Sequence, residues 1–263
     1  MFRSRATGVM AAVLVCAAIA DSARADPPRM SMGYGSEDTR WSTEYATAGS
    51  DGKLLGATLT VTPTTPVLAS DPLITATTQT LVSYSPNWAF GYWDPATGRV
   101  GDTSVVVVGP NGCAAASGGG PRVMVYYKTG SFPNNQWAQA EVGAGSPITA
   151  YLGPALRVST ANGGSGFWAV VTPNGAWGVL YALNGSTEKG LPGGYRPPGS
   201  ITVTPGDVIK LSMTGNVITL RQNGTTLYSA TVPAAAQVIT SGNPGIYVHG
   251  GLFGLKNWSA GTN

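Results

Sequence analysis

Asn87-Trp88-Ala89-Phe90-Gly91-Tyr92-Trp93-Asp94 sets four rings between two polar side chains within eight residues. Flat rings stack on the C–H faces of sugars while Asn, Asp, Gln and Arg satisfy hydroxyl groups, so this mixture is suited to saccharides. The segment is too dense and irregular for every ring to be buried in one strand, and Tyr92 and Trp93, with Asp94 beside them, are expected as exposed platforms. A second set lies in Trp137–Val142, where Trp137, Gln139 and Glu141 alternate with Ala138, Ala140 and Val142. The small apolar residues suit the core side of a strand, which puts Trp137 and Glu141 on the outer face. A third is Trp168, which alternates against Phe167, Ala169 and Val171, with Arg157 on a nearby strand to supply donors. Tyr195 sits in the turn-rich run Gly193-Gly194-Tyr195-Arg196-Pro197-Pro198, where exposure is expected. Each tryptophan, as a large hydrophobe, also fits a packed interior position.

Other chemistries find less support. A glycosidase that carries its two carboxylates on one strand needs them at alternate positions, so that both project toward one sugar. Past residue 25 the carboxylates are Asp26, Glu37, Asp38, Glu44, Asp51, Asp71, Asp94, Asp102, Glu141, Glu188 and Asp207, and no two lie two or four residues apart. Convergence from different strands, such as Glu141 with Asp94, stays open. His249 is the sole histidine and has no neighbouring cysteine, so it builds no zinc site and suits a hydrogen-bonded structural role. Asp102 and Asp207 stand alone without a ligand-rich loop, and no Gly-x-Ser-x-Gly elbow occurs. Neither a metal nor another cofactor is expected.

The elements that position these residues are strands. From Gly206 onward Ile209, Leu211 and Met213 alternate with Lys210 and Ser212, a turn follows at Thr214-Gly215-Asn216, and Ile218 and Leu220 alternate with Thr219 and Arg221. Asn223-Gly224, which readily supplies two positive φ angles, closes a second hairpin into a strand through Leu227. Upstream, strands are expected at Thr80–Tyr84, Ser104–Val108, Val123–Tyr127, Trp137–Val142, Leu156–Ser159, Phe167–Val171 and Trp177–Leu183. Asn111-Gly112, Asn162-Gly163, Asn174-Gly175 and Asn184-Gly185 punctuate them as turns, which favours antiparallel pairing. The reading is an all-β antiparallel sandwich without a fixed repeat.

The order G-D-x-I-x-L, N-x-I-T-L-x-x-N-G, N-P-G-I-Y and a terminal N-W-S-A-G resembles the last strands of bacterial concanavalin A-like (LamG-like) jelly rolls. Asn135–Val142 and Gly153–Val158 are similar to the middle strands of that family, and the resemblance covers roughly residues 78–263. It implies a secreted, non-catalytic, lectin-like sandwich that binds a polysaccharide or glycan. A surface or envelope module that binds a protein is the alternative, permitted by the low charge and the polar loops. A carbohydrate-active enzyme is the second alternative. Its hydrolase form lacks the family's Glu-x-Asp-x-Glu strand, and its lyase form rests on Tyr126-Tyr127-Lys128-Thr129-Gly130 with Gln136, a partial likeness to a lyase strand whose other motifs are missing.

Met1–Ala25 reads as an export signal: Arg3 and Arg5 precede the apolar run Val9–Ala20, and Ala23-Arg24-Ala25 is a small-x-small cleavage site. Export to the periplasm or medium, with no membrane insertion after cleavage, is the expectation. Without Arg3, Arg5, Arg24 and Asp21 the 15 basic and 12 acidic residues fall to 12 and 11, a net near +1 that implies no nucleic-acid partner. Cys113 is then the only cysteine and reads as a small packed residue. Residues 26–77 hold one alternating strand around Leu55–Val61 and a stiff connector at Pro63-Thr64-Thr65-Pro66, and the sandwich is expected to start at Thr78.

Overall fold

The computed structural model describes residues 66–93, 106–115, 122–144, 151–250 and 254–263. The export segment, the strand expected at Leu55–Val61, and Asp94 and Asp102 lie outside the described residues.

The strands form two sheets. The larger runs β14 (Thr225–Thr231), β13 (Val217–Gln222), β12 (Val208–Thr214), β7 (Gln136–Val142), β16 (Leu255–Thr262), β5 (Gly112–Ala115), β4 (Val106–Gly109), β2 (Gln79–Thr80), and β1 (Val67–Asp71) also pairs with β16. The smaller runs β11 (Lys189–Arg196), β10 (Trp177–Ala182), β9 (Ser165–Val171), β8 (Tyr151–Ser159), β15 (Asn243–His249), β6 (Val123–Tyr127), β3 (Trp88–Trp93). Neighbouring strands are antiparallel, and the chain crosses between the sheets repeatedly, so the protein is an all-β jelly-roll sandwich.

Period-two alternation fixes which side of each strand is buried. Ala138, Ala140 and Val142 of β7, Ile209, Leu211 and Met213 of β12, and Ile218 and Leu220 of β13 meet Phe167, Ala169 and Val171 of β9 and Ile246 and Val248 of β15 in the central core. Asn223 and Gly224 take φ of 49° and 82°, as the β13–β14 hairpin requires. Cys113 is buried in the same core, and that burial pushes its thiol well above the ordinary range.

Three elements differ from the sequence reading. Gln79–Thr80 is a strand, but Leu81–Tyr84 turns once as a short helix, because the Thr80 hydroxyl caps the Ser83 N–H at 3.3 Å while only Leu81 is buried. Trp88–Trp93, within the segment read as irregular, is the edge strand β3, with a register shift between Phe90 and Tyr92 that accounts for its pattern. The start of the turn-rich run Gly193–Pro198 falls instead in the opposite edge strand, Lys189–Arg196, which has an interruption between its two paired portions. The larger sheet also takes in Val67–Asp71, ahead of Thr78.

One buried carboxylate ties these parts together. Asp71 accepts from the Leu73 N–H at 2.9 Å, the Tyr84 hydroxyl at 2.8 Å and the Trp88 indole N–H at 2.9 Å. Trp88 packs edge-on against Trp258 at 4.8 Å, and the Trp258 indole N–H donates across the core to the Gly245 carbonyl at 3.1 Å.

Candidate functional site

The smaller sheet has apolar side chains on both faces. Phe167, Ala169 and Val171 enter the central core, whereas Trp168 and Val170 join Met124, Ala155, Ala182 and Tyr247 in a second cluster on the outer side. Small residues let the large ones lie flat there. Gly245 pairs with Tyr126 and Ala155, and a Cβ on it would run into the Val125 carbonyl oxygen. The Trp168 and Tyr247 rings stack at 5.3 Å and 15° over this floor.

Charged and exposed groups surround the stacked pair. Arg122, just before β6, forms an ion pair with Glu188, just before β11, and Glu188 Oε2 lies 3.5 Å from the Tyr247 hydroxyl. His249 and Tyr151 are register partners on β15 and β8, and their rings stack at 5.5 Å and 17°. Tyr151 is 39% exposed. On the edge strand β11 Tyr195 pairs with Gly178, which offers no side chain beside the ring, and Tyr195 is 61% exposed. Exposed tyrosine rings therefore stand on this face at its middle strand β8 and at its edge strand β11, and the Arg122–Glu188 pair lies beside Tyr247 of β15.

The residues singled out by sequence separate into distinct places. Tyr195 is exposed as expected. Tyr92 and Trp93 lie on β3, where Tyr92 pairs with Met124 in the backbone register. Trp168 is on the face its alternation assigned, yet it is 0% exposed, because Tyr247 and its apolar neighbours enclose it. The exposed platform expected of Trp168 is thus corrected to a buried ring.

Trp137 and Glu141 occupy the outer face of the other sheet, opposite the core as read, and so do not join Trp168. Trp137 is only 3% exposed: its indole N–H donates to the Thr262 carbonyl at 3.1 Å, and the Lys210 ammonium stands 4.2 Å above the ring centroid. That lid corrects the expectation of an exposed ring. Glu141 pairs with Lys256 at 2.8 Å and accepts from Asn257 at 2.7 Å, and the bonds from Lys256 and then Asn257 hold its carboxyl below the usual range despite partial burial.

Arg157 does not serve Trp168 either. It is 3% exposed, and its guanidinium donates to the backbone carbonyls of Asn134, Ile239 and Gly215 at 2.8–3.0 Å. Arg157 takes φ 49° at a register shift in β8, which turns the side chain toward the loops at the end of the sandwich. Sequence reading missed Arg122, Tyr151, Glu188 and Tyr247. Tyr247 was findable, since Tyr247 and His249 alternate with Ile246 and Val248, whereas no local pattern links Glu188 to Arg122.

Among the described residues no group of three His, Cys, Asp or Glu side chains is arranged to hold a metal, and no helix is long and apolar enough to cross a membrane.

The chain matches no protein-family model and no curated protein. Among solved structures it is similar to carbohydrate-binding module CBM66 from Bacillus subtilis, at 15% identity over 67% of this chain and 96% of that one, with a TM-score of 0.47. It is also similar to Bacillus licheniformis β-glucanase, at 10% identity over 71% of this chain and 97% of that one, with a TM-score of 0.42. Sheep galectin-11 in complex with glycerol follows at 13% identity, over 50% of this chain and 92% of that one, with a TM-score of 0.35. These neighbours are concanavalin A-like and galectin-like jelly rolls.

Proposed function

We propose that this protein binds a glycan, without cleaving it, on the outer face of the seven-stranded sheet. The observation that carries the reading is the pair of exposed rings, Tyr151 on the middle strand and Tyr195 on an edge strand, on a face that also bears the Arg122–Glu188 pair. Rings of this kind cover the C–H side of a pyranose while the ion pair exchanges hydrogen bonds with its hydroxyls. The stacked Trp168 and Tyr247 beneath hold the face rigid. Export belongs to the same proposal, supported by the positive, apolar and small-x-small order of Met1–Ala25.

Affinity electrophoresis against plant, fungal and bacterial polysaccharides tests the proposal. Retardation by at least one polysaccharide, weakened by Tyr195→Ala or Tyr151→Ala, is expected. Unretarded migration with all of them at millimolar saccharide overturns it.

A second reading, a carbohydrate-active enzyme, is favoured by the Glu188 carboxylate beside the Tyr247 hydroxyl and the Arg122 guanidinium, groups able to move a proton and meet an acidic sugar. Reducing-sugar release or ultraviolet absorbance from unsaturated products supports it, and silence in both assays retires it.

A further inference from the structure

The outer face of the larger sheet carries a polar row that crosses six strands. Register sets Ser70 of β1, Ser259 of β16, Gln139 of β7, Lys210 of β12, Arg221 of β13 and Thr226 of β14 side by side. The next row along the strands holds Ser212, Thr219 and Ser229. Two cations are thereby direct cross-strand partners, on strands about 4.8 Å apart.

Like charges directly opposite one another on a sheet face destabilise it. Here both are also tethered. The Lys210 ammonium sits 4.2 Å above the Trp137 ring centroid, and Arg221 Nε donates to the Thr226 hydroxyl at 3.3 Å, which leaves the two Nη groups for a ligand. Glu141, the carboxylate that β7 carries on this face, is engaged by Lys256 and Asn257. Burial, and then the charge of Arg221, hold the Lys210 ammonium below its usual range. An anion seated between the two cations opposes both effects.

The donors around the pair favour one shape of anion. A tetrahedral monoester presents three outward oxygens, one for the Lys210 ammonium, one for the Arg221 Nη groups and one for a flanking donor such as the Gln139 amide. A carboxylate offers two and leaves the flanking donor unused. Hydroxyl groups at Thr219 and Ser229, bonded to each other at 3.0 Å, lie one row away, where the carrier of the ester would rest.

We propose that this strip binds a sulfate or phosphate monoester carried on a sugar, its charged oxygens held between Lys210 and Arg221 and its ring hydroxyls met by Thr219 and Ser229. The inference rests on the glycan-binding reading for the carrier alone and uses the opposite face of the sandwich.

The experiment titrates the isotope-labelled protein at constant ionic strength with glucose 6-sulfate, glucose 6-phosphate, glucuronate, glucose, inorganic sulfate and inorganic phosphate, followed by NMR. Saturable shifts of the Lys210 and Arg221 amides and the Trp137 indole N–H are expected with at least one ester, at least about fivefold weaker with glucuronate, with glucose and with the matching inorganic anion. Lys210→Met, which keeps a stem over Trp137, and Arg221→Gln, which keeps a donor for Thr226, should each weaken ester binding at least about fivefold, whereas Lys189→Gln on the other sheet should not. Selectivity is read on the unaltered protein, so the outcome does not depend on the folding of a variant. Equal responses to ester and glucuronate overturn the proposal, as do equal responses to ester and inorganic anion, or an equal loss with Lys189→Gln. Absence of saturable shifts overturns it too, which is the result if a carboxylate from outside the described residues, such as Asp94 or Asp102, already occupies the pair. Tyr195→Ala should leave these shifts unchanged while weakening polysaccharide retardation, so failure here is distinguishable from failure of the glycan reading.

Discussion

Trp168 and Tyr195 share one sheet face but have opposite fates, and substitution separates them. Truncating Trp168 removes a buried ring and its stack with Tyr247, so Trp168→Ala should cost about 3–5 kcal/mol in a denaturant titration. Tyr195→Ala, at an exposed position, should stay within about 0.5 kcal/mol of the parent. Tyr84 gives a pH signature. Burial, then its hydrogen bond to Asp71 and the charge of that carboxylate, push its hydroxyl up to about 12. A raised folded value means that the contribution is complete below the unfolded value near 10 and is lost as pH climbs through about 12. Tyr84→Phe should flatten that alkaline fall in thermal melts while costing about 1 kcal/mol at neutral pH, where Asp71 keeps two donors. An unchanged alkaline slope would count against the Tyr84–Asp71 link. Side-chain orientation was readable from alternation for Trp137 and Trp168, but exposure was not: Lys210 covers one and Tyr247 the other, both from strands remote in sequence.

At the level of elements, the terminal meander was the most legible part. Ile209–Met213 and Ile218–Leu220 alternate strictly, the Asn223-Gly224 turn fixes their neighbour, and the register pairs Leu211 with Leu220 and Ser212 with Thr219. Leu220→Ala should therefore cost about 2–5 kcal/mol, since that side chain is wholly in the core. Thr219→Ala, which loses a surface bond to Ser229 at 3.0 Å, should cost under about 1 kcal/mol. Similar urea midpoints for the two variants would invert the assigned faces. Legibility failed at β3 and β11, both edge strands. An edge strand pairs on one side only, so irregularity costs it less and its sequence need not alternate. Asp207 shows how a turn is secured: burial alone would raise its carboxyl, but bonds from the Thr204 N–H, Asn223 and Gln222 outweigh that and hold it low.

Across the whole molecule, composition and turn spacing pointed to a two-sheet antiparallel sandwich, whereas its sheet order lay beyond any local pattern. β16 illustrates why. Its central place between β7 and β5 depends on partners more than a hundred residues away, and it also carries β1. Removing Leu255–Asn263 should therefore abolish the cooperative unfolding transition, a loss far larger than that from trimming an edge strand. A sharp melt from the truncated chain would contradict this central role. The same placement has a consequence in time. A ribosome delivers β16 after every other described strand, so β7 and β5 each wait with an unsatisfied edge until it arrives, although the smaller sheet is already complete in sequence by β15. Refolding of this protein should accordingly be slow, in the millisecond-to-second regime of non-local β topologies, and its newly made chain stays pliable for as long as that last strand is missing.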